Sequence, residues 1–244
     1  LSTMNYEPRA KPKFATVEAA KPIEDLKTRL KALCAGTDKA GDFYRQFHYS
    51  LFSYISNRIP EISNELYRVD DAMMAGFGWE IGAFESWDVL GVAKTTEAMK
   101  AAGYTVAVWI EEMLASGAKS FYTIENGKRL YYDVSTKSYK LMPGGDAFIV
   151  MKNFDGETVW KNSACRAYLL GNDVLGLEWY TKMGSIGGEV LEGIQKSIAL
   201  AEEKYKGLVI ANEGSNFSAG ANVGMIFMLA IEQDYDEIDM AIRQ

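Results

Sequence analysis

The sequence predicts an α+β multidomain chain in which an all-helical domain, a β-hairpin connector and a layered ββαβα unit follow one another. Three observations carry this prediction. Apolar residues recur every three or four positions between Ile23 and Ala115, as on one face of successive helices. At Gly117 the pattern gives way to β-rich arms around Asn126-Gly127, the strongest short signal for a two-residue hairpin. Beyond Cys165 two strand-like runs, a long helical pattern and another strand-like run follow in the order of a sheet with covering helices.

Residues 1–16 carry two of the five prolines and no periodicity, and read as a linker or tail. Residues 17–116 read as about six helices. The first carries Ile23, Leu26, Leu30 and Leu33 and is ended by Gly36. The second carries Phe43, Phe47, Leu51, Tyr54, Ile55 and Ile59, and Pro60 is expected in the first turn of a third helix holding Ile62, Leu66, Val69, Met73 and Met74. Gly76, Gly78 and Gly82 break that helix. A short one over Phe84, Trp87 and Leu90 and two more over 95–102 and 105–115 follow. Residues 117–163 form the connector, with a hairpin over 120–133 and a strand over 138–142. In residues 164–244 a second hairpin (165–170 and 174–179) leads to a long helix with Ile186, Val190, Ile194 and Ile198 at four-residue spacing. A buried strand over 207–211, a loop and a helix over 225–231 complete the order.

Composition narrows the function classes. The chain has 244 residues, 48% hydrophobic, and a formal net charge of -7. That supports a buried core and disfavours non-specific nucleic-acid binding, because no basic excess neutralises phosphates. Cys34 and Cys165 stand far apart, and His48 is the single histidine, so neither a disulfide framework nor a His/Cys metal cluster is expected. A reducing, cytoplasmic setting fits this usage. The longest apolar runs fall far short of the roughly 20 residues that span a bilayer, so no membrane span is expected. Leu1 in place of Met, and a helical pattern still running at Gln244, lead us to expect a section of a longer polypeptide.

The segment Asn212-Glu-Gly-Ser-Asn-Phe-Ser-Ala-Gly-Ala-Asn-Val-Gly224 lies between the last strand and the last apolar helix, and three readings compete for it. A phosphate loop needs G-x-x-x-x-G-K-[ST] or G-x-G-x-x-G, and neither spacing is present. A plain turn accounts for its Gly, Ser and Asn content. An oxyanion site accounts for the small residues Ser218, Ala219, Gly220 and Ala221, which let a ligand approach the backbone, with the Ala221 N–H at a helix start as donor.

Asn216-Phe-Ser-Ala-Gly-Ala221 between strand and helix resembles the first oxyanion loop, F-[SA]-A-G-A-D, of the enoyl-CoA hydratase (crotonase) superfamily. Leu177-Glu-Trp-Tyr-Thr-Lys-Met183 before a long helix resembles that family's L-x-x-x-x-K-x-N-A entry. Residues 62–91, with Asp71-Ala-Met73 and Gly76-Phe-Gly-Trp-Glu-Ile-Gly-Ala-Phe-Glu-Ser-Trp-Asp-Val-Leu-Gly91, resemble the C-terminal helical domain of 3-hydroxyacyl-CoA dehydrogenases. In this order the two resemblances match fused 3-hydroxyacyl-CoA dehydrogenase/enoyl-CoA hydratase proteins of fatty-acid β-oxidation. The implied fold is a dehydrogenase C-terminal helical domain, a connector, and the first ββαβα part of a crotonase-like domain.

The resemblance implies a coenzyme A thioester as substrate and NAD as cofactor of the whole protein, with the NAD-binding domain outside this chain. It implies that the Ala221 N–H is one of two that hold the thioester oxygen. It also implies that main chain at Ala219, Gly220 and Ala221 lies against the coenzyme, with Lys182 nearby as a basic contact and Met183 on the acyl side. A solvated lysine ahead of a helix is the plain alternative for Lys182. Asn222 replaces the usual Asp. The catalytic glutamates and second oxyanion N–H of the hydratase, and the catalytic His and Glu of the dehydrogenase, have no counterpart here, so neither activity is expected of this stretch alone. His48 is expected in a packed core, and the aromatic group Phe77, Trp79, Phe84 and Trp87 reads first as core. Glu189, Glu192, Glu202 and Glu203 read as a solvated helix face, and the acidic run 232–239 as a solvated surface. A competing reading makes the chain a non-catalytic acyl-CoA-binding or assembly module, and homo-oligomers are common in the family.

Overall fold

The computed structural model describes residues 12–213 and 216–243, so most of the predicted tail, and Gly214 and Ser215 of the loop, lie outside the described residues. The chain is α+β, about half helical, with two small sheets. It divides into two compact units, one running to Thr123 and including Leu130–Met142, the other comprising Ile124–Arg129 and Pro143–Gln244.

In the first unit the helices are α1 (Ala15–Ala20), α2 (Leu26–Ala35), α3 (Lys39–Asn57), α4 (Leu66–Phe77), α5 (Ala83–Leu90), α6 (Val92–Ala101) and α7 (Val108–Ala115). Side chains cap the starts of two of them as the sequence rules require. Asp25 accepts from the Thr28 N–H at the start of α2, and Asp38 from the Ala40 and Gly41 N–H groups at the start of α3. The expected start of α4 at Pro60 is corrected. Arg58 caps α3, the chain turns through 59–65 with the Ser63 hydroxyl accepting from the Glu65 N–H at 3.2 Å, and helix resumes at Leu66. The α5 start has no cap of its own, because Gly82 carries no side chain, and Asp70 of α4 replaces it. Its Oδ1 accepts from Phe84 N–H at 2.8 Å and its Oδ2 from Glu85 N–H at 3.0 Å.

The core of this unit is aromatic. Phe52 and Trp87 are fully buried and stack with ring centres 4.8 Å apart and planes 3° from parallel. Phe84 and Phe121 pack edge to face at 5.0 Å. The strands are β1 (Tyr122–Glu125), β2 (Lys128–Asp133) and β3 (Ser138–Leu141), in the order β1-β2-β3, and Tyr131 and Tyr132 of β2 join the same core. Asn126 and Gly127 both have positive φ, 52° and 71°, as the two-residue hairpin requires. His48 is buried, and desolvation lowers its pKa, so it is a neutral core residue. Phe84 and Trp87 are core as expected, but Phe77 is 70% exposed and Trp79 half-buried, so the expectation for that pair is corrected. The reason is that α4 ends at Phe77 and Gly78 turns in the left-handed region, carrying both rings outward.

The second unit holds β4 (Thr158–Lys161), β5 (Cys165–Leu169), β6 (Val174–Trp179), α8 (Gly188–Lys204), β7 (Gly207–Ile210), α9 (Val223–Ile231) and α10 (Tyr235–Arg243). The sheet order is β4-β5-β6-β7, antiparallel except for the parallel β6/β7 pair that α8 connects. The α8 helix can lie close to the sheet because Gly193 faces Cys165: a Cβ there would stand 2.7 Å from the Cys165 sulfur. Ala164, Cys165, Leu177, Trp179 and Val190 form the buried centre. Cys34 and Cys165 are free thiols, and burial pushes both up to about 11.

Candidate functional site

Two segments that are distant in sequence meet at the start of α9. One is the entry to α8, the other the loop after β7. Ile186, expected as the first apolar position of the long helix, is instead extended: its N–H donates to Gly220 O at 2.8 Å and its C=O accepts from Asn222 N–H at 2.9 Å. The Gly187-Gly188 pair explains the correction, since Gly187 is extended (φ -121°, ψ -175°) and the helix begins only after it.

This bridge orients the backbone of residue 221. In a strand the N–H groups alternate sides. Gly220 C=O and Asn222 N–H both face Ile186, so the Ala221 N–H points away from that partner, immediately before the N-cap of α9. Asn222 caps α9, its Oδ1 accepting from Met225 N–H at 3.3 Å, so the replacement of Asp by Asn keeps a side-chain cap. Ala219 and Ala221 are exposed and Gly220, at φ 87°, is half-buried.

Side-chain contacts that the sequence reading did not foresee fix the loop. Ser218 Oγ donates to Gly184 O at 2.8 Å and accepts from Gly220 N–H at 2.9 Å. The Trp179 indole N–H donates to the same Gly184 oxygen at 3.1 Å. Asn212 accepts from Trp179 N–H at 3.0 Å through Oδ1 and donates to Phe217 O at 2.5 Å through Nδ2. Phe217 lies edge-on to Trp179 with ring centres 5.4 Å apart. Asn212 opens the loop and Trp179 closes β6, so a polar residue after an apolar strand and a Trp before a helix were the signals available in the sequence; the strand expected to be buried is itself partly exposed, with Val209 at 45% and Ile210 at 38%. Met183 stands at φ 58°, rare for a residue with a side chain, and its C=O accepts from Ala219 N–H at 3.1 Å.

Beside this latch lies a cleft of about 350 Å³ with Glu178, Tyr180, Met183, Asn212 and Glu213 among its walls. Of the predicted contact residues, Met183 lines it, and Lys182, Ala219, Gly220 and Ala221 do not. Lys182 is exposed. Burial raises the Glu178 pKa against a hydrogen bond from the Tyr168 hydroxyl at 3.1 Å. Among the described residues no group of three or more His, Cys, Asp or Glu is placed to hold a metal ion. The β7-loop-α9 unit does not fit the diphosphate of NAD, since it lacks the G-x-G-x-x-G spacing that brings backbone against that group. No helix among the described residues is long and apolar enough to cross a membrane.

Comparison with known proteins places the chain beside enzymes of fatty acid oxidation. It is 36% identical, over 99% of its length, to a protein of Bacillus subtilis named as a probable 3-hydroxyacyl-CoA dehydrogenase. It is 23% and 20% identical, over 88% and 83% of its length, to proteins of Rickettsia prowazekii and Rickettsia felis provisionally named fatty acid oxidation complex trifunctional enzymes. The chain spans 31%, 27% and 25% of these three relatives respectively, less than a third of each. No protein family profile matches the chain, and no solved structure matches it significantly.

Proposed function

We propose that the chain is a section of a bifunctional β-oxidation protein that hydrates a 2-enoyl-CoA and oxidises the 3-hydroxyacyl-CoA with NAD. In this reading residues 17–116 are the helical C-terminal domain of the dehydrogenase, 117–163 a connector, and 164–244 the N-terminal part of a crotonase-like domain. The observation that carries it is the bridge between Ile186 and Ala221, which leaves the Ala221 N–H turned outward at the start of a helix. The alignment of the chain along 99% of its length with a protein named as a probable 3-hydroxyacyl-CoA dehydrogenase supports it.

The chemistry assigned to this stretch is limited to one donor. As the thioester carbonyl gains negative charge, the Ala221 N–H stabilises it, and loss of one such donor costs on the order of 100-fold in rate in other enzymes. Ala219 and Gly220 give room for the coenzyme, and Lys182 contributes a positive charge near it. Proton transfer to and from the acyl chain requires acid and base groups from the rest of the whole protein, so the 244-residue chain alone leaves crotonyl-CoA unhydrated.

Calorimetry with acetyl-CoA tests the site. Saturable binding is expected, and it is lost in Ala221→Pro, which removes the N–H without touching the Gly220 and Asn222 bonds to Ile186. Retained binding by folded Ala221→Pro, checked by circular dichroism, sinks the assignment.

One observation favours the competing reading of a non-catalytic binding or assembly module. The α9 helix is apolar on all sides and exposed, with Phe227 at 63% and Met228 at 54%. A soluble, folded chain that binds no acetyl-CoA yet self-associates supports that reading.

A further inference from the structure

The helical unit contains a second concavity, remote in sequence from the Ala221 loop. It is a cleft of about 540 Å³ between α2, α3 and α6, a volume in the range of small-ligand sites. Lys31 of α2, Arg45 of α3 and Lys94 of α6 line it, three cations on a chain whose net charge is -7. Arg45 is committed to the protein, donating to the carbonyl oxygens of Cys34 and Gly36 and pairing with Asp42. Lys31 and Lys94 are different. Among the described residues neither has an ion-pair or hydrogen-bond partner, whereas the neighbouring Lys27 is paired with Glu85 at 2.9 Å.

Two further groups point the same way. The first turn of α6 forms part of the wall through Gly91, Lys94 and Thr95, and Gly91 offers it no side-chain cap, so its leading N–H groups have no side-chain acceptor there. Thr95, another wall residue, is only 5% exposed, and no protein hydrogen bond takes up its hydroxyl among the described residues, which leaves that hydroxyl open to the cleft's solvent. Leu90 and Tyr49 add an apolar and an aromatic side chain to the wall.

We propose that this cleft binds a phosphate group, held by Lys31, Lys94, the Thr95 hydroxyl and the first-turn N–H groups of α6, with any organic remainder against Tyr49 and Leu90. Two like cations on separate helices, a helix start and a hydroxyl donor suit a compact anion with several acceptor oxygens. The proposal does not rest on the acyl-CoA reading of the Ala221 loop, and each can fail without the other.

The test is calorimetry on the full chain with inorganic phosphate, AMP and adenosine. Phosphate and AMP are expected to bind and adenosine alone to give no heat. Binding tighter for AMP than for phosphate assigns a phosphate ester, and equal binding assigns the free anion. Lys31→Glu and Lys94→Glu are each expected to weaken AMP about ten-fold, and the double variant to abolish it, while Lys196→Glu in the other unit matches the charge change and leaves it unaltered. Thr95→Val is expected to weaken AMP without unfolding the chain. Adenosine binding as well as AMP, no binding of either phosphate compound, or unchanged AMP binding in a folded Lys31→Glu/Lys94→Glu chain overturns the proposal.

Discussion

The Tyr122 hydroxyl donates a hydrogen bond to Asp70 Oδ2 at 2.9 Å, so one buried carboxylate ties α4, the start of α5 and the first strand together. Asp88 repeats the device from α5, accepting from Phe121 and Tyr122 N–H groups at 2.7 and 2.9 Å. Desolvation outweighs these bonds and raises the two acids from 3.8 to about 6 and about 7.

A pH dependence follows from that pair. A carboxyl whose folded pKa lies above its unfolded value binds its proton more tightly in the folded chain. Its contribution is fully present below 3.8 and is lost as pH rises through about 6 for Asp70 and about 7 for Asp88. Wild type should therefore lose stability relative to Asp70→Asn between about pH 4 and about pH 6, by about 2–3 kcal/mol. Urea denaturation of both proteins across that window measures the difference, and parallel curves would refute the assignment.

Phe52→Ala removes one face of the Phe52–Trp87 stack at the centre of the helical unit. A loss of about 3–5 kcal/mol is expected, from transfer and cavity terms together. Denaturation followed by tryptophan fluorescence reads it directly, because the partner ring is the reporter.

Gly184 sits at φ 66°, and a Cβ there would stand 3.0 Å from Phe217 O and 3.1 Å from Ser218 Cα. Gly184→Ala should cost about 1–2 kcal/mol and shift the amide resonances of 218–222. Gly187→Ala, at an extended position with open space around it, should stay within about 0.5 kcal/mol of wild type. Comparing the two by NMR separates strain in the latch from a general intolerance of side chains.

The exposed apolar surface of α9 predicts concentration-dependent association. Phe227→Glu with Met228→Glu should lower the weight-average mass in sedimentation equilibrium while leaving the circular dichroism spectrum unchanged. A mass that does not respond places the association, if any, elsewhere.

Much of this architecture is legible in the sequence, because periodicity survives wherever one face of an element is buried. The hairpin at Asn126-Gly127, α5 through α7 and the β5-β6-α8-β7-α9 order all follow from pattern and turn chemistry. The face of a helix is harder to read than its period. In α3 the expected stripe included Phe43 and Tyr54, which are 65% and 63% exposed, while Phe52, outside the stripe, is fully buried; His48 is buried as expected. An aromatic-rich helix offers more than one apolar face, and the partner that selects among them is distant in sequence. At the candidate site the loop residues were visible as small and glycine-rich, but the latch through Ser218, Asn212 and Trp179 was not. Those contacts join positions some 30 residues apart, and no local spacing encodes them.

The bridge between Ile186 and Ala221 also says what kind of sequence change this loop tolerates. Because successive amides face opposite ways, what selects the outward donor is the count of residues from the Ser218 latch to the helix cap, odd or even, and the side chain at 221 is incidental to it. Replacing Ala221 by Ser or Gly keeps that parity, whereas inserting a single residue after Ser218 turns the donor back toward Ile186 with every neighbouring side chain intact.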